Sequence, residues 1–330
     1  MLSAIEHERM AVVFDDLAAT GFSGAVGIDD GSPMPLQRTF GLAEMLNPES
    51  ALFDICSLTK SITAAAILQL ESQGRLALDQ TLGQFFALPR QIAQITIHHL
   101  LTHSSGLGDF LSPTGEPREY SLEQDYEPLP RDELLNQVRR SRLLAPPGQR
   151  WSYSNTGYSL LAAIIEETTG EQFEEYVRRE LLAPLGMHDT GYTFPISEHP
   201  CVASGRIGST EWGRPTDKAS SPSWNLIGNG GLLSTIPDLL HWKSAFCTLL
   251  ADACKAPIVV EPPITSGYGC FVYQSDSQLG KVDYHNGDNG IFSATIRWFP
   301  KLSRFLAVVS NNSAHSALPV ARRISDCWKR

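Results

Sequence analysis

The chemistry in this chain starts from a hydroxyl and an amine three residues apart, in Ser57-Leu58-Thr59-Lys60. A serine hydroxyl is a poor nucleophile until a neighbouring base removes its proton. Residues i and i+3 of a helix share a face, so Lys60 reaches Ser57 from one turn further along. At a helix start, free N–H groups and the helix dipole also favour negative charge developing near Ser57. For Lys60 to act as a base it must be neutral part of the time, which burial or a nearby cation brings about. The apolar run 62–70 predicts that burial. By itself the spacing is weak: average Ser and Lys usage places about one such pair in a chain of this size. A surface serine and lysine on a helix is the plain alternative.

Two further constellations add chemistry. Trp151-Ser152-Tyr153-Ser154-Asn155 supplies a Tyr-x-Asn pair in a loop just before a helical pattern. A tyrosine hydroxyl near an amine can relay protons, and an asparagine amide can hold a substrate carbonyl. A second such pair, Tyr284 and Asn286, falls inside a strand pattern, so Tyr153 is preferred; an ordinary packing aromatic is its bland reading. His285-Asn286-Gly287 closes a strand pattern. Glycine there lets a substrate backbone lie close to a sheet edge, and His285 can donate a hydrogen bond or carry part of a positive charge. A lone histidine is more often structural. His98, His99 and His103 have a spacing that permits metal binding. A Ser/His/Asp triad based on His285 would lack the Gly-x-Ser-x-Gly elbow around Ser57.

The elements that must position these groups follow from periodicity. Residues 3–19 form an amphipathic helical pattern with Ile5, Met10, Val13, Phe14 and Leu17 on one side. Strand patterns cover 21–28, ended by Asp29-Asp30-Gly31, and 36–41. A helix over 57–73 stops at Gly74, and helices follow at 157–169 and 171–183. Residues 110–130, rich in Pro, Gly and acids, are expected to form an exposed loop. The tract 220–231 contains Gly228, Gly230 and Gly231 and is expected to line a site. Beyond residue 264 the period becomes two, predicting strands at 268–274, 282–285, 292–299 and 305–310 before a helix over 317–328. Strands at both ends with helices between them predict one α/β domain over 1–330: a sheet lobe from about 1–50 and 260–330, and a mainly helical lobe over 51–259.

Bulk properties exclude some classes. The chain has 330 residues, 42% hydrophobic and 19% charged, with a formal net charge of −10. That sign repels phosphate backbones, and Arg139-Arg140 and Arg322-Arg323 are too short to reverse it, so no nucleic-acid partner is expected. Acids at Glu6, Glu8, Asp15 and Asp16 break any signal-peptide pattern, and no segment reaches the 18 to 20 apolar residues of a membrane span. A cytoplasmic protein with no membrane partner is expected. Cys56, Cys201, Cys247, Cys254, Cys270 and Cys327 show no metal-type spacing and are expected as free thiols, Cys56 as a small buried neighbour of Ser57.

Longer stretches carry a resemblance. FDICSLTKSITAAAILQLESQGRLALDQTL, HHLLTHSSGL, YSNTGYSLLAAIIEETTG, LLAPLGMHDT and GGLLSTIPDLLHW span most of residues 20–312. In types and order they resemble the penicillin-recognising serine hydrolases: class C β-lactamases, D-alanyl-D-alanine carboxypeptidases, D-aminopeptidases and related esterases. The resemblance implies a β-lactamase/transpeptidase-like α/β fold, an antiparallel five-stranded sheet flanked by terminal helices plus a helical lobe. It implies an acyl-enzyme on Ser57 helped by Lys60, proton transfer by Tyr153, and substrate orientation by Asn155. His285 stands where many members have the Lys of Lys-Thr-Gly, and the backbone N–H groups of Ser57 and Asp288, beside Gly287, would form the oxyanion hole. No metal or organic cofactor is implied, and the partner would be a small ester, amide or peptide. Two departures stand out. Ile291 separates Gly290 from Phe292, and Asp288 puts an acid beside the oxyanion site, where its side chain is expected to point outward. A catalytically idle homologue that binds a ligand or partner protein is the alternative.

Overall fold

The computed structural model describes residues 1–42, 45, 47–112, 114–192, 201–218, 223–250, 258–261, 264–274 and 278–329. Helix α1 (Ala4–Ala19) starts at Ser3, whose hydroxyl accepts from the Glu6 N–H while Glu6 returns a bond to the Ser3 N–H. It buries Met10 and Leu17. Strands β1 (Gly24–Asp29) and β2 (Leu36–Phe40) form a hairpin. From the other end of the chain come β3 (Ile258–Glu261), β4 (Ile264–Ser266), β5 (Phe271–Gln274), β6 (Lys281–Asp288), β7 (Ser293–Phe299) and β8 (Arg304–Ser310). They form one antiparallel sheet in the order β2-β1-β8-β7-β6-β5-β4-β3. Strand β8 is buried along its whole length, as its unbroken apolar run Phe305-Leu306-Ala307-Val308-Val309 requires. The sheet therefore has eight strands where five were expected. β2 falls on the strand pattern at 36–41, whereas the short strands β3 and β4 at the other edge were not among the strand patterns.

One sheet face packs against α1 and the C-terminal helix α5 (Ala317–Asp326), burying Val26, Leu306, Val308, Ala321 and Ile324 together. The other face meets the helical lobe. Its axis is α2 (Thr59–Ser72), buried almost all round from Thr59 to Leu68, as a central helix of small and aliphatic residues must be. Against it lie α3 (Asn155–Thr169), which ends at Gly170, and α4 (Ile236–Ala245). The helix expected at 171–183 is broken into Phe173–Val177, a wide turn over Arg178–Leu182 and a tight turn over Ala183–Leu185, where Pro184 cannot continue the ladder.

Residues 110–130 depart from the exposed loop expected of them. Phe110–Leu111 pairs with Pro117–Arg118, a short helical turn runs Leu122–Asp125, and Asp125 and Tyr126 are buried. Glu116, Glu119, Glu123 and Glu127 do face solvent, while Leu122, Asp125 and Tyr126 form a cavity wall. The expectation of free thiols holds for Cys56, Cys201, Cys247 and Cys327 but fails at Cys270, which is disulfide-bonded. Cysteine spacing along the chain carries no information about distances across the fold. Cys254 lies outside the described residues. No described helix is long and apolar enough to cross a membrane.

Candidate active site

Ser57 lies in a single tight turn, Cys56–Leu58, that runs straight into α2. Cys56 enters that turn with φ of 49°, a left-handed backbone unusual for a residue with a side chain. Two bonds hold the kink: the Cys56 N–H donates to Asp54 Oδ1 at 2.7 Å, and the Leu58 N–H donates to Ile55 O at 3.1 Å. One turn on, Lys60 is fully enclosed. Its Nζ donates to Ser57 Oγ at 3.1 Å, to Asn155 Oδ1 at 2.5 Å and to the Asn229 carbonyl at 2.6 Å. Burial pulls its pKa from the ordinary lysine range to about 7, against the opposing pull of Asp109 and Asp125. The amine is thus poised between donor and acceptor at neutral pH.

Tyr153 stands over the same amine, its ring centre 4.9 Å from Lys60 Nζ. Burial raises its phenol well above the usual value, and the hydrogen-bonded Ser57 hydroxyl offsets this only in part. The ring is stacked on His103 at 4.4 Å. His103 is buried and neutral, its pKa pushed well down by burial and then by Lys60 and His285; its Nδ1 accepts the Ser154 N–H at 3.1 Å. His103 is therefore a support behind Tyr153, while His98 pairs with the Tyr268 hydroxyl and His99 accepts the Thr96 N–H, and among the described residues no cluster could hold a metal.

Asn155, at the start of α3, has both ends of its amide engaged. Oδ1 accepts from Lys60, and Nδ2 and the backbone N–H both donate to Asp109 Oδ1 at 2.8 Å. One amide hydrogen remains for a substrate carbonyl. His285 is buried on β6, and burial, then Lys60, pushes its pKa to about 3, so it is neutral. Its Nδ1–H donates to the Asn286 carbonyl at 2.7 Å, which leaves Nε2 as an acceptor. The partial positive charge considered for this residue is not supported.

Strand β6 runs past β5, whose pairing ends at Phe271 and Tyr284. The Asn289 N–H bonds to the Phe292 carbonyl, so by the alternation of an antiparallel ladder the next pair, Asp288 and Ser293, exchanges no bonds. The Asp288 N–H then points to the side vacated by β5, towards the cleft. Its carboxylate is exposed and accepts the Gly290 N–H at 2.7 Å. Gly287 brings β6 against the nucleophile turn: a Cβ there would lie 2.2 Å from Ile55 O and 3.0 Å from Ser57 N.

Ser57, Tyr153, Asn155, His285 and Asp288 line a cleft of about 500 Å³ that also takes in Asp54, Asp109, Asp125, Tyr126, Phe271, Asn229 and Gly230. Burial raises the Asp54 pKa to about 6; it caps the nucleophile turn and receives Tyr126 and Asn289. Asp125 is also raised, to about 7, by burial against the pull of Tyr120 and Arg118, and its Oδ1 has no hydrogen-bond partner. His103 was raised from the sequence only as a possible metal ligand, and Asp109, Asp125 and the Asn229 carbonyl were not singled out there. The glycines around Asn229 gave the only signal among them.

A family model described as Beta-lactamase matches residues 36–325. The chain belongs to the β-lactamase family. It is similar to penicillin-binding protein 4* of Bacillus subtilis, 26% identical over 315 residues that cover 86% of this chain and 66% of that protein. It is also similar to esterase EstB of Burkholderia gladioli, 36% identical over 201 residues that cover 56% of this chain and 51% of EstB. The chain spans about half to two thirds of the length of these curated relatives. In structure it is similar to the penicillin-binding protein of Bacillus halodurans, with a TM-score of 0.79 and 26% identity over 97% of this chain and 99% of that one.

A titration is expected from the amine. Only neutral Lys60 can accept the serine proton, so its competent fraction grows tenfold per pH unit below about 7 and levels off above. Initial rates of Ser57 labelling from pH 5 to 9 should rise and then plateau with a midpoint near 7. A flat profile would remove Lys60 as the base. In Asp125→Asn the titration should persist with its midpoint moved down, because the acid that pulls the Lys60 pKa up is gone, whereas its disappearance would assign it to Asp125.

Proposed function

We propose that this β-lactamase-family chain is a serine hydrolase that acts on an ester or amide through an acyl-enzyme. Neutral Lys60 takes the Ser57 proton as Oγ attacks the carbonyl carbon, and the N–H groups of Ser57 and Asp288 receive the oxyanion. Tyr153, hydrogen-bonded to Ser57 and beside the amine, passes a proton to the leaving group as the tetrahedral centre collapses to an ester on Ser57. Water then takes the place of the leaving group, and the acid departs as the proton returns to Ser57. Asn155 fixes the Lys60 amine and offers its remaining N–H to the substrate.

The observation that carries this is an enclosed amine 3.1 Å from a half-buried serine hydroxyl, with its pKa brought to about 7. On the substrate side, a neutral His285 offers no cation for a free carboxylate, while Asp125 presents an unpartnered oxygen. Both favour neutral or amine-bearing acyl groups. Fluorophosphonate treatment followed by mass spectrometry is expected to find one adduct on Ser57, absent in Ser57→Ala. p-Nitrophenyl esters with neutral or amino-bearing acyl groups should turn over faster than carboxylate-bearing ones. No adduct and no ester turnover would leave the idle, ligand-binding homologue.

A further inference from the structure

A second cavity of about 420 Å³ lies on the opposite face of the sheet, between β4–β7 and α5. Its walls are Tyr273, Tyr284, Val282 and Phe299 from the sheet side and Leu318 and Arg322 from the helix. Arg297 projects into it from β7, directly opposite Tyr284 in the ladder, with its guanidinium 5.6 Å from the Tyr284 ring centre. Burial, then the neighbouring Arg322, brings the Arg297 pKa down to about 10. Its buried Nε has no hydrogen-bond partner. Among the described residues neither arginine enters an ion pair. Among the described residues the one acid on the wall, Asp326, is bonded to Lys329 at 2.7 Å.

Arg297 is largely enclosed beside the exposed Arg322, and with no acid of the described residues between them its desolvation cost is left unoffset. An anion placed between the two forks removes both the desolvation cost and the like-charge repulsion, since a planar guanidinium matches a carboxylate in shape. The rest of the wall is aromatic and aliphatic, which suits a flat apolar body behind the charge. We propose that this cavity binds an organic anion of the aryl carboxylate class, its carboxylate held by Arg297 and Arg322 and its ring against Tyr273, Tyr284 and Phe299. The site is distinct from the Ser57 chemistry but not isolated from it. Tyr284, Asn286 and Ile264 line both the cavity and the Ser57 cleft, and β6 also presents His285 to the cleft.

Isothermal titration of the intact protein with benzoate, and with benzyl alcohol as the uncharged counterpart, tests this. Benzoate is expected to bind saturably and benzyl alcohol at least tenfold more weakly. Arg297→Met and Arg322→Ala should each weaken benzoate at least tenfold, with the Ser57 labelling rate within about threefold of the parent. Arg322 is on the exposed side of α5, so its variant decides the matter even if Arg297→Met fails to fold. Absence of saturable benzoate binding, binding equal to that of benzyl alcohol, or unchanged affinity in the variants would overturn the proposal.

Discussion

Lys60→Met is expected to lower the second-order rate of Ser57 acylation by about three to four orders of magnitude, the range that general-base catalysis contributes. Methionine fills much of the same enclosed volume but cannot accept a proton. Ser57 would then have to lose its proton to water, in a site whose phenol is raised too far to ionise and whose two histidines are held neutral at the wrong positions. The substitution also leaves Asn155 Oδ1 and the Asn229 carbonyl without a donor, at about 1–3 kcal/mol for each unsatisfied group. Removing a buried amine relieves a desolvation cost of its own, so the net change in Tm should be small beside the rate loss. Lys60→Arg should fail as well, because a guanidinium keeps its proton near neutrality and its planar fork does not fit a pocket built for three converging bonds from one nitrogen. Stopped-flow labelling with a fluorophosphonate, alongside circular dichroism to show a retained fold, checks both. Either variant labelling within tenfold of the parent would end the Lys60 assignment.

What could be read from the residues, and what could not, divides along sequence distance. The helix that carries Ser57 and Lys60 is local. Its Ala, Ile and Leu content announces both the helix and its burial, and the buried stretch Thr59–Leu68 follows from that composition. The period-two tract near the C-terminus gave β5 to β8 in the same way, with boundaries off by a few residues. Choosing Tyr153 over Tyr284 rested on loop versus strand context. The structure places Tyr153 over Lys60, while Tyr284 stays half-buried on its strand, packed against the cluster of α1 and α5. The partners that tune the site come from far away in the chain. Asp109 anchors Asn155 across 46 positions and the Asn229 carbonyl meets Lys60 across 169; nothing around Asp109 signals its contact, and the glycines beside Asn229 signal a site wall but not its partner. Asp125 was hidden by the opposite effect: a tract of acids, Gly and Pro suggests solvent, yet one carboxylate turns inward and is desolvated. Electrostatic tuning of this kind is a property of the assembled cleft. His285 shows the same limit, since its neutrality comes from burial and the Lys60 charge across the cleft.

Gly287→Ala is expected to slow Ser57 acylation by about two to three orders of magnitude, the cost of losing an oxyanion donor. The sequence suggested that this glycine makes room for a substrate backbone; the coordinates give it a different neighbour. An added methyl would sit 2.2 Å from the Ile55 carbonyl oxygen, 2.9 Å from Cys56 Cβ and 3.0 Å from Ser57 N. Two of the three are backbone atoms, so no rotamer change relieves the overlap. The nucleophile turn cannot retreat, because Asp54 pins the Cys56 N–H and the turn is continuous with a fully packed α2. β6 must therefore swing outward, carrying the Asp288 N–H away from Ser57, and a shift near 1 Å is enough to uncouple the two donors from one oxyanion. Overpacking of this kind costs about 1–3 kcal/mol of stability, so Tm should fall as well. Asp288→Ala separates backbone from side chain: it keeps the N–H and removes only an exposed carboxylate, so labelling should stay within about threefold of the parent. If Gly287→Ala labels at the parental rate while Asp288→Ala does not, the donor geometry assigned to the end of β6 is wrong, and the acid side chain has a part in the reaction.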